Sequence, residues 1–594
     1  MLEQNKNRVS KVAFAFIMTL LFMILFLSST FFLTSKRNLP NTEKEQFNIA
    51  LRGSVITKDN FTVASSKEIY RAEIDLRSLD NNKLDLFLKL FQIYSGSNDE
   101  VMSSIKKRLE LKNPKTYNFV LLQNIDSRQA SYLKELSKKL YVQGFFKAFT
   151  NSNNKVETRG LNIIEHKEDR RYMSKDALTP IIGYTNTILD EEDGVLKNFG
   201  VKGIEKYYDE CLKALQDEKV QGLKDIGGNI VLSLDSVQQK KINGCDLYIN
   251  ISLKLQKSLE KIIDQKNEDL KANEIIIGIM ESSTGKILSL ASSRRYDPSN
   301  RGKDLSVLNA SAIEYSYEAG SVIKPFVFTT ALRLDKLKID EKINTYNGSY
   351  KLGQFTIQDD HKAAFMSPEE VLAFSSNIGM IQIAKRLSNF EIVAGLRIFH
   401  FGEKSGIDLP YEQRGELPNP QRLKDIEKSV LSYGYGLKTT FIQLLAGYNV
   451  FNNEGFYIAP KIVDRFYQNG KIQQTPEALK EKILSKSANE LLRRILISTV
   501  EKGTGRKAYT KGLVVGGKTG TARIAQKGGY TGNRYNASFF GFASDDKTGY
   551  TIGVLVRNPT KAYSYYAAQS ALPLFKDAVD LLVKEGFLEP NLAY

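Results

Sequence analysis

Tryptophan is absent from this 594-residue chain. That absence excludes no class of function, but the other scarcities do. There are three histidines, His166, His361 and His400, none in a catalytic setting, which argues against a Ser-His-Asp triad. The two cysteines, Cys211 and Cys245, fit neither Cys-x-x-Cys redox chemistry nor a metal site. They form either one disulfide in an extracytoplasmic region or two unpaired thiols, and their spacing does not choose. The formal charge of +17 favours an anionic partner such as a membrane surface or an acidic polymer. Nucleic acid is disfavoured, because there is no long Lys/Arg block, no zinc-finger spacing and no RNA-binding aromatic signature.

What is present is ordinary globular composition, 42% hydrophobic and 25% charged, in a length that suits two to four domains. One segment stands apart. Val12 to Leu33 is a run of 22 residues without a charge, long enough to cross a bilayer as a helix. A cleaved signal peptide would have a shorter apolar core and a small-residue cleavage site. Here the run ends on Phe31, Phe32 and Leu33, so an uncleaved anchor is expected. Lys6, Arg8 and Lys11 precede it and Lys36 and Arg37 follow, a slight vote for a cytoplasmic N-terminus. No second span of comparable length occurs, which puts the rest of the chain on one side of the membrane.

From Ser35 to about Asp246 the pattern is mixed. Arg52 to Thr57 alternates like a short strand, and Leu84 to Tyr94, Ile105 to Leu111 and Ser127 to Leu140 have helical spacing. A polar loop is expected at Asn151 to Asn154. Near Gly244 the texture changes. Leu247 to Ile251 reads as a strand, Ser252 as the cap of a helix, and Glu274 to Met280 with Ile287 to Ala291 as a hairpin. Buried strands follow far downstream, at Ala537 to Phe542 and Tyr550 to Val556. Strands at both ends with Leu-, Ile- and Ala-rich helices between predict an antiparallel sheet closed by the two ends of one domain.

Three short motifs fall in order inside that second region: Ser321-Val322-Ile323-Lys324, Ser375-Ser376-Asn377 and Lys518-Thr519-Gly520-Thr521. Gly320 permits a sharp entry into a helix, and Pro325 is tolerated in its first turn. Lys324 then lies one turn from Ser321 on the same face. An amine held there and partly desolvated can be neutral and accept the serine proton. The second motif offers a hydroxyl and an amide, the third a cation, two hydroxyls and a close-approach glycine for holding a substrate carboxylate. The N–H groups of Ser321 and Thr521 can face an oxyanion. Each motif alone is weak. Ser-x-x-Lys recurs at Ser103, Ser104, Ser131, Ser152, Ser258 and Ser283, and Ser-x-Asn at Ser152 and Ser487. Lys-Thr-Gly recurs at Lys547-Thr548-Gly549, where Asp545-Asp546 marks a solvated turn. Apolar flanks and correct order single out the three chosen copies.

With their flanks, these residues resemble the transpeptidase domain of penicillin-binding proteins. Tyr317 to Phe326 is similar to the family's YEPGSxxKPF, with Ala319 in place of proline. Tyr433-Gly434-Tyr435-Gly436 and Gly517 to Ala522 also match. Arg52 to Ile56 resembles the RGxI box of the class B non-catalytic pedestal, and Arg171-Tyr172 and Gly203-Ile204-Glu205 sit where further pedestal boxes fall. Thr57-Lys58-Asp59-Asn60 stands where Asp-Arg is usual. Lys518 to Arg523, the strand from Ala537 and Tyr565 to Ala571 resemble the septal cell-division (FtsI-like) type. The elongation type more often has KSGTA. The resemblance spans roughly residues 45–580.

The resemblance implies an α+β protein: cytoplasmic tail 1–11, transmembrane anchor 12–33, mixed α/β pedestal 34–245, and serine transpeptidase domain 246–594 with an antiparallel sheet flanked by helices. It implies a D,D-transpeptidase that cross-links peptidoglycan stem peptides through an acyl–enzyme on Ser321. Lys324, Ser375, Asn377 and Lys518 would be its other catalytic residues, and Thr519, Gly520 and Thr521 its substrate-binding residues. No metal and no organic cofactor is called for. β-Lactams are the expected covalent inhibitors, and the expected partners are the membrane, division-machinery membrane proteins and a glycosyltransferase. The catalytic domain is expected outside the cytoplasmic membrane. The competing readings are an elongation-type enzyme, a β-lactamase, an acylated sensor and a non-enzymatic division scaffold.

Overall fold

A computed structural model of the chain describes residues 2–36, 43–110, 118–150, 156–189, 196–224, 230–525, 529–530 and 532–591. The uncharged run folds within a single helix, α1 (Leu2–Lys36). Its 25-residue stretch Arg8–Phe32 is the one helix among the described residues long and apolar enough to cross a membrane. Thr19 and Thr30 return their hydroxyls to carbonyls of the preceding turn, so neither of these two hydroxyls is left unpaired in the apolar stretch.

The chain divides into two compact units. One comprises Met1–Ala50, Glu68–Asp169 and Gln216–Ile242. It contains α2 (Leu84–Ser95), α3 (Asp99–Glu110), β1 (Asn118–Ile125) and α4 (Ser127–Val142). Asp126 and Gln129 close a capping box at the start of α4, satisfying two of its free N–H groups. Ala130, Leu133, Leu136 and Leu140 form its buried stripe, against Phe87 and Phe91 of α2. Ser103, Ser104 and Ser131 ride on these helices as expected. The loop expected at Asn151 to Asn154, with Ser152, lies outside the described residues.

The other unit comprises Leu51–Lys67, Arg170–Leu215 and Asn243–Tyr594. In its first part the strand expected over Arg52 to Thr57 shrinks to Val55–Ile56, which pairs with Asp246–Ile249. The reason is upstream. Gly53 donates its N–H to Leu212 O (2.8 Å), and Arg52 turns into a buried ion cluster. Arg52 Nε meets Glu205 Oε2 at 2.7 Å, and Arg170 Nε meets Glu205 Oε1 at 2.8 Å. The sequence pointed to Arg171; alternation along an extended segment sends Arg171 outward and Arg170 in. Removing one partner of such a cluster costs about 3–5 kcal/mol, because a buried charge is left uncompensated. Asp59, within the atypical Thr57 to Asn60 stretch, accepts the N–H groups of Leu253 (2.9 Å) and Lys254 (3.0 Å). It thereby joins Ser252 in capping α5 (Leu253–Leu270). Cys211 and Cys245 are joined as a disulfide with Cα atoms 5.4 Å apart, which settles the alternative left open by spacing.

The rest of this unit is built on a five-stranded sheet. In chain order its strands are β2 (Glu274–Glu281), β3 (Ile287–Ser292), β4 (Val514–Arg523), β5 (Tyr535–Ser544) and β6 (Gly549–Arg557). They lie side by side as β3-β2-β6-β5-β4, antiparallel throughout. The unbroken apolar run of β2 reflects burial of both faces. Ile275, Ile277 and Ile279 pack towards α5 and α10 (Ala571–Lys584), whereas Ile276 and Met280 join the core on the opposite face. That core includes α6 (Lys324–Arg333), α7 (Asn377–Ala384), α8 (Phe441–Asn452) and α9 (Lys486–Glu501).

Candidate active site

Ser321 lies in a 3₁₀ turn, Gly320–Ile323, that runs directly into α6 with Pro325 in its first turn. The sequence places Ser321 at the start of the helix itself; the tighter turn precedes it. Gly320 has φ +62°, a conformation glycine adopts without a Cβ penalty, and donates its N–H to Gly434 O at 3.0 Å. Among the described residues the Ser321 hydroxyl makes no hydrogen bond, and the residue is half-buried.

Lys324 is fully buried. Its Nζ donates to Ser375 O (2.6 Å), Ser375 Oγ (3.2 Å) and Asn377 Oδ1 (2.7 Å). The first motif and the outer residues of the second are thus joined directly. Burial pulls the Lys324 pKa down to about 7, against the opposing charges of Asp359 and Asp360. At neutral pH about half of such amines carry no proton.

The middle residue of the second motif faces away from the amine. Ser376 caps α7 through Gly379 N (2.8 Å) and donates its hydroxyl to Asp359 Oδ2. The buried Asp359 also accepts the N–H groups of Asn377 (2.6 Å) and Ile378 (3.2 Å). Asp359 thereby fixes the turn in which Ser375 takes φ +59°. Asp359 belongs to none of the three sequence motifs, and only its burial reveals this role. Replacing Asp359 with Asn removes a negative charge that supports protonated Lys324. The midpoint of any Lys324-dependent pH profile is expected to fall below about 7, with activity reduced about 10- to 100-fold as the Ser375–Asn377 turn loosens. A pH profile of penicillin labelling checks the direction of the shift.

The third motif lies on β4, paired as Lys518 with Phe540, Thr519 with Phe539 and Gly520 with Ser538. Gly520 meets the Ser321 turn: a Cβ there would lie 2.8 Å from Val322 Cγ1. Lys518 is fully buried and donates to Thr519 O at 3.1 Å. Burial, then the nearby charge of Lys324, pushes its pKa well down. The Thr519 hydroxyl bonds Thr504 Oγ1 (2.9 Å), and the Thr521 hydroxyl accepts Ala567 N–H (3.2 Å). Thr504 carries no sequence signal; it sits in a turn after α9. Tyr530 donates to Glu318 at the outer edge (2.8 Å), and Glu318 also accepts Gly436 N–H (2.9 Å).

The competing motif copies lie elsewhere. Lys547 occupies the β5–β6 turn, exposed and paired with Glu589 at 2.8 Å. Ser283 is in the β2–β3 turn, and Ser258 is on α5. His361 stacks on Phe374, and His400 on Tyr457. No described histidine bonds a serine hydroxyl. Among the described residues no cluster of His, Cys, Asp and Glu could hold a metal.

Comparison with known proteins agrees with this geometry. The model of the penicillin-binding protein transpeptidase domain matches residues 275–580, and that of the penicillin-binding protein dimerisation domain matches residues 48–249. The chain is 30% identical over 426 residues to the probable peptidoglycan D,D-transpeptidase PenA of Neisseria meningitidis, covering 71% of this chain and 70% of the relative. It is 25% identical over 482 residues to the peptidoglycan D,D-transpeptidase FtsI of Escherichia coli, covering 81% of this chain and 74% of the relative. Its fold is shared with penicillin-binding protein 2X from Streptococcus thermophilus, with a TM-score of 0.72 at 19% identity, covering 91% of this chain and 82% of that one. A dimerisation-type domain, a transpeptidase domain and these relatives place the chain in the penicillin-binding protein transpeptidase family.

Proposed function

We propose that the chain is a membrane-anchored peptidoglycan D,D-transpeptidase that works through an acyl–enzyme on Ser321, in septal wall synthesis. The observation that carries the chemistry is the buried Lys324 amine, with its pKa pulled down to about 7 and its donors held by Ser375 and Asn377. Lys324 Nζ takes the Ser321 hydroxyl proton as Oγ attacks the carbonyl carbon of the penultimate D-alanine. The N–H groups of Ser321 and Thr521 face the developing oxyanion. The peptide bond breaks, the leaving D-alanine nitrogen takes the proton, and an ester on Ser321 remains. An amine of a second stem then attacks the ester, forming the cross-link and returning a proton to Oγ. Lys518 and Thr519 hold the donor's terminal carboxylate, with Gly520 giving the strand room to approach. That carboxylate favours the charged form of Lys518, and a charged Lys518 favours neutral Lys324. A β-lactam is attacked in the same way and remains as the acyl group, with slow deacylation separating this enzyme from a lactamase.

Residues 1–11 form the cytoplasmic tail, 12–33 the anchor, 34–245 the pedestal and 246–594 the catalytic domain. The Cys211–Cys245 disulfide supports an extracytoplasmic location, where such bonds persist. Division-machinery membrane proteins and a glycosyltransferase are the proposed partners. The septal assignment rests on Lys518 to Arg523, the following strand and Tyr565 to Ala571, together with the FtsI relative. Depletion is expected to block division and leave filaments, with the protein in the membrane fraction and its N-terminus intact. Rounded cells would favour the elongation type, and a soluble form starting near Ser35 would remove the anchor.

The two Lys-Thr-Gly copies give a comparison inside one molecule. Lys518→Ala is expected to slow penicillin acylation by about 10²-fold or more, the loss of a buried charge aimed at the substrate. Lys547→Ala removes an exposed pair and is expected to leave acylation unchanged. Equal effects in one labelling assay would contradict the assignment of the third motif.

A further inference from the structure

Six residues separate the end of α1 at Lys36 from the strand Glu43–Asn48. That strand pairs with Glu218–Lys224, which pairs in turn with Ile230–Val231 and Val237–Gln239. The whole sheet belongs to the same compact unit as α1. Residues directly opposite one another in a sheet share a face, so Leu223, Val231, Val237 and Phe47 lie on one side of it. All four are about half-exposed, and none joins a hydrophobic cluster among the described residues.

The edge of this sheet carries an extrusion. Leu223 pairs with Val231 but Gln221 pairs with Val237, so residues 232–236 stand opposite Gly222 alone. A bulge of this kind throws its extra residues out of the ladder. Ser236 closes it: its N–H donates to Ser233 O (3.1 Å), and its Oγ accepts Ser233 N–H (2.8 Å). The loop rests on Gly222, where a Cβ would lie 2.8 Å from Ser236 Oγ. The serines bond within the loop. Leu232, 59% exposed, and Leu234, fully exposed, are left to face solvent.

Two observations name what covers them. The first is tether length. From Lys36 to Glu43 the chain spans at most about 25 Å. Leu223 is the partner of Glu43 and Val231 the partner of Leu223, so the apolar end of the sheet lies about 10 Å, two strand spacings, from residue 43. The opposite end carries Glu218, Lys219 and Gln239. A surface that α1 already occupies is therefore held beside the loop at high effective concentration. The second observation is composition. The exposed apolar side chains at this end are Leu and Val, without the Trp, Tyr or Arg that anchor protein interfaces. Aliphatic side chains suit acyl chains. Asp235, exposed beside Leu234, limits the depth, because a carboxylate stays among the headgroups.

We propose that residues 232–236, with the face formed by Leu223, Val231 and Val237, dock on the lipid surface at which α1 emerges. This rests on α1 spanning the bilayer. Leu232 and Leu234 enter the boundary between headgroups and acyl chains, a shallow insertion of about 5–10 Å. The unit that contains the sheet is thereby held against the membrane at a second point.

The absence of tryptophan makes a direct test available. Full-length chains with one tryptophan each, Leu234→Trp, Tyr141→Trp or Phe22→Trp, are placed in vesicles of phosphatidylethanolamine and phosphatidylglycerol. The lipids carry bromine on their acyl chains, either near the headgroup or near the chain end. Leu234→Trp should lose about half or more of its fluorescence to bromines near the headgroup and resist soluble acrylamide. Tyr141→Trp, at the exposed end of α4, should respond to acrylamide and not to bromine. Phe22→Trp, inside the span, should be quenched most by bromines near the chain end. Penicillin labelling should be unchanged in all three. Adding Leu232→Glu to Leu234→Trp should cut its bromine quenching about twofold or more. If acrylamide reaches Leu234→Trp and bromine does not, while Phe22→Trp is quenched by bromine, the docking is overturned, the anchor stands and the face is left to a protein partner. An unquenched Phe22→Trp would instead remove the anchor. Equal bromine quenching of Tyr141→Trp would overturn the docking as non-specific adsorption. So would quenching untouched by Leu232→Glu, since the affinity of tryptophan itself for the interface would then explain the signal.

Discussion

Ser321→Ala is expected to abolish covalent penicillin labelling and to reduce D-alanine release from a stem-peptide analogue by about 10⁴-fold or more, the scale seen when a catalytic nucleophile is removed. The fold should survive. Ser321 is half-buried and its hydroxyl makes no hydrogen bond among the described residues, so removing it leaves no buried partner unpaired. The 3₁₀ turn is held by other groups: Gly320 N–H to Gly434 O, and the approach of Gly520 to Val322. An unchanged thermal midpoint together with lost labelling therefore separates chemistry from folding. Labelling that persists at another serine would remove Ser321 from the reaction, whatever the resemblance of its surroundings.

The second large effect concerns Lys324. With its pKa at about 7, acylation should rise about tenfold per pH unit below 7 and level off above it, because the neutral amine is the form that accepts the serine proton. The sign follows from burial, which disfavours the charged form and pulls the pKa down from the usual lysine value. Lys324→Ala should remove this pH dependence and slow acylation by about 10²- to 10⁴-fold. It also strips the donor from Asn377 Oδ1 and Ser375 O, each of which loses a buried partner at a cost of about 1–3 kcal/mol. A lowered thermal midpoint is therefore part of the expected result. The rate at fixed temperature, well below that midpoint, is the quantity that reports on proton transfer. Wild-type acylation in Lys324→Ala would show that another group takes the proton.

Local pattern made much of this legible. The apolar N-terminal helix, the stripe on α4, the cap at Ser252, the β2–β3 hairpin and the strand carrying Lys518 all follow from periodicity and turn residues, and each forms where expected. The solvated turn at Lys547 was readable for the same reason: two acidic residues between apolar strands leave no buried role for the lysine. What escaped depends on contacts distant in sequence. Asp359 looks like any polar loop residue until Ser376 and the N–H groups of Asn377 and Ile378 converge on it. Arg170 and Arg171 differ only in which side of an extended segment each occupies, and spacing on one strand does not say which side holds Glu205. The cysteine pair, 34 residues apart, is decided by chain geometry that no local signal encodes. Ser321 sits in a 3₁₀ turn instead of an α-helical one, a distinction of one hydrogen-bond step that Gly320 and Pro325 permit equally.

The central claim is that Ser321 carries the acyl group. Its most direct measurement is peptide mass mapping of the full chain after reaction with benzylpenicillin. The expected result is a single adduct, of the mass of one penicillin, on the peptide containing Ser321, formed faster above pH 7 than below it. An adduct confined to Ser375, Ser376 or any other serine, or no adduct at all in protein that retains its thermal midpoint, would contradict it.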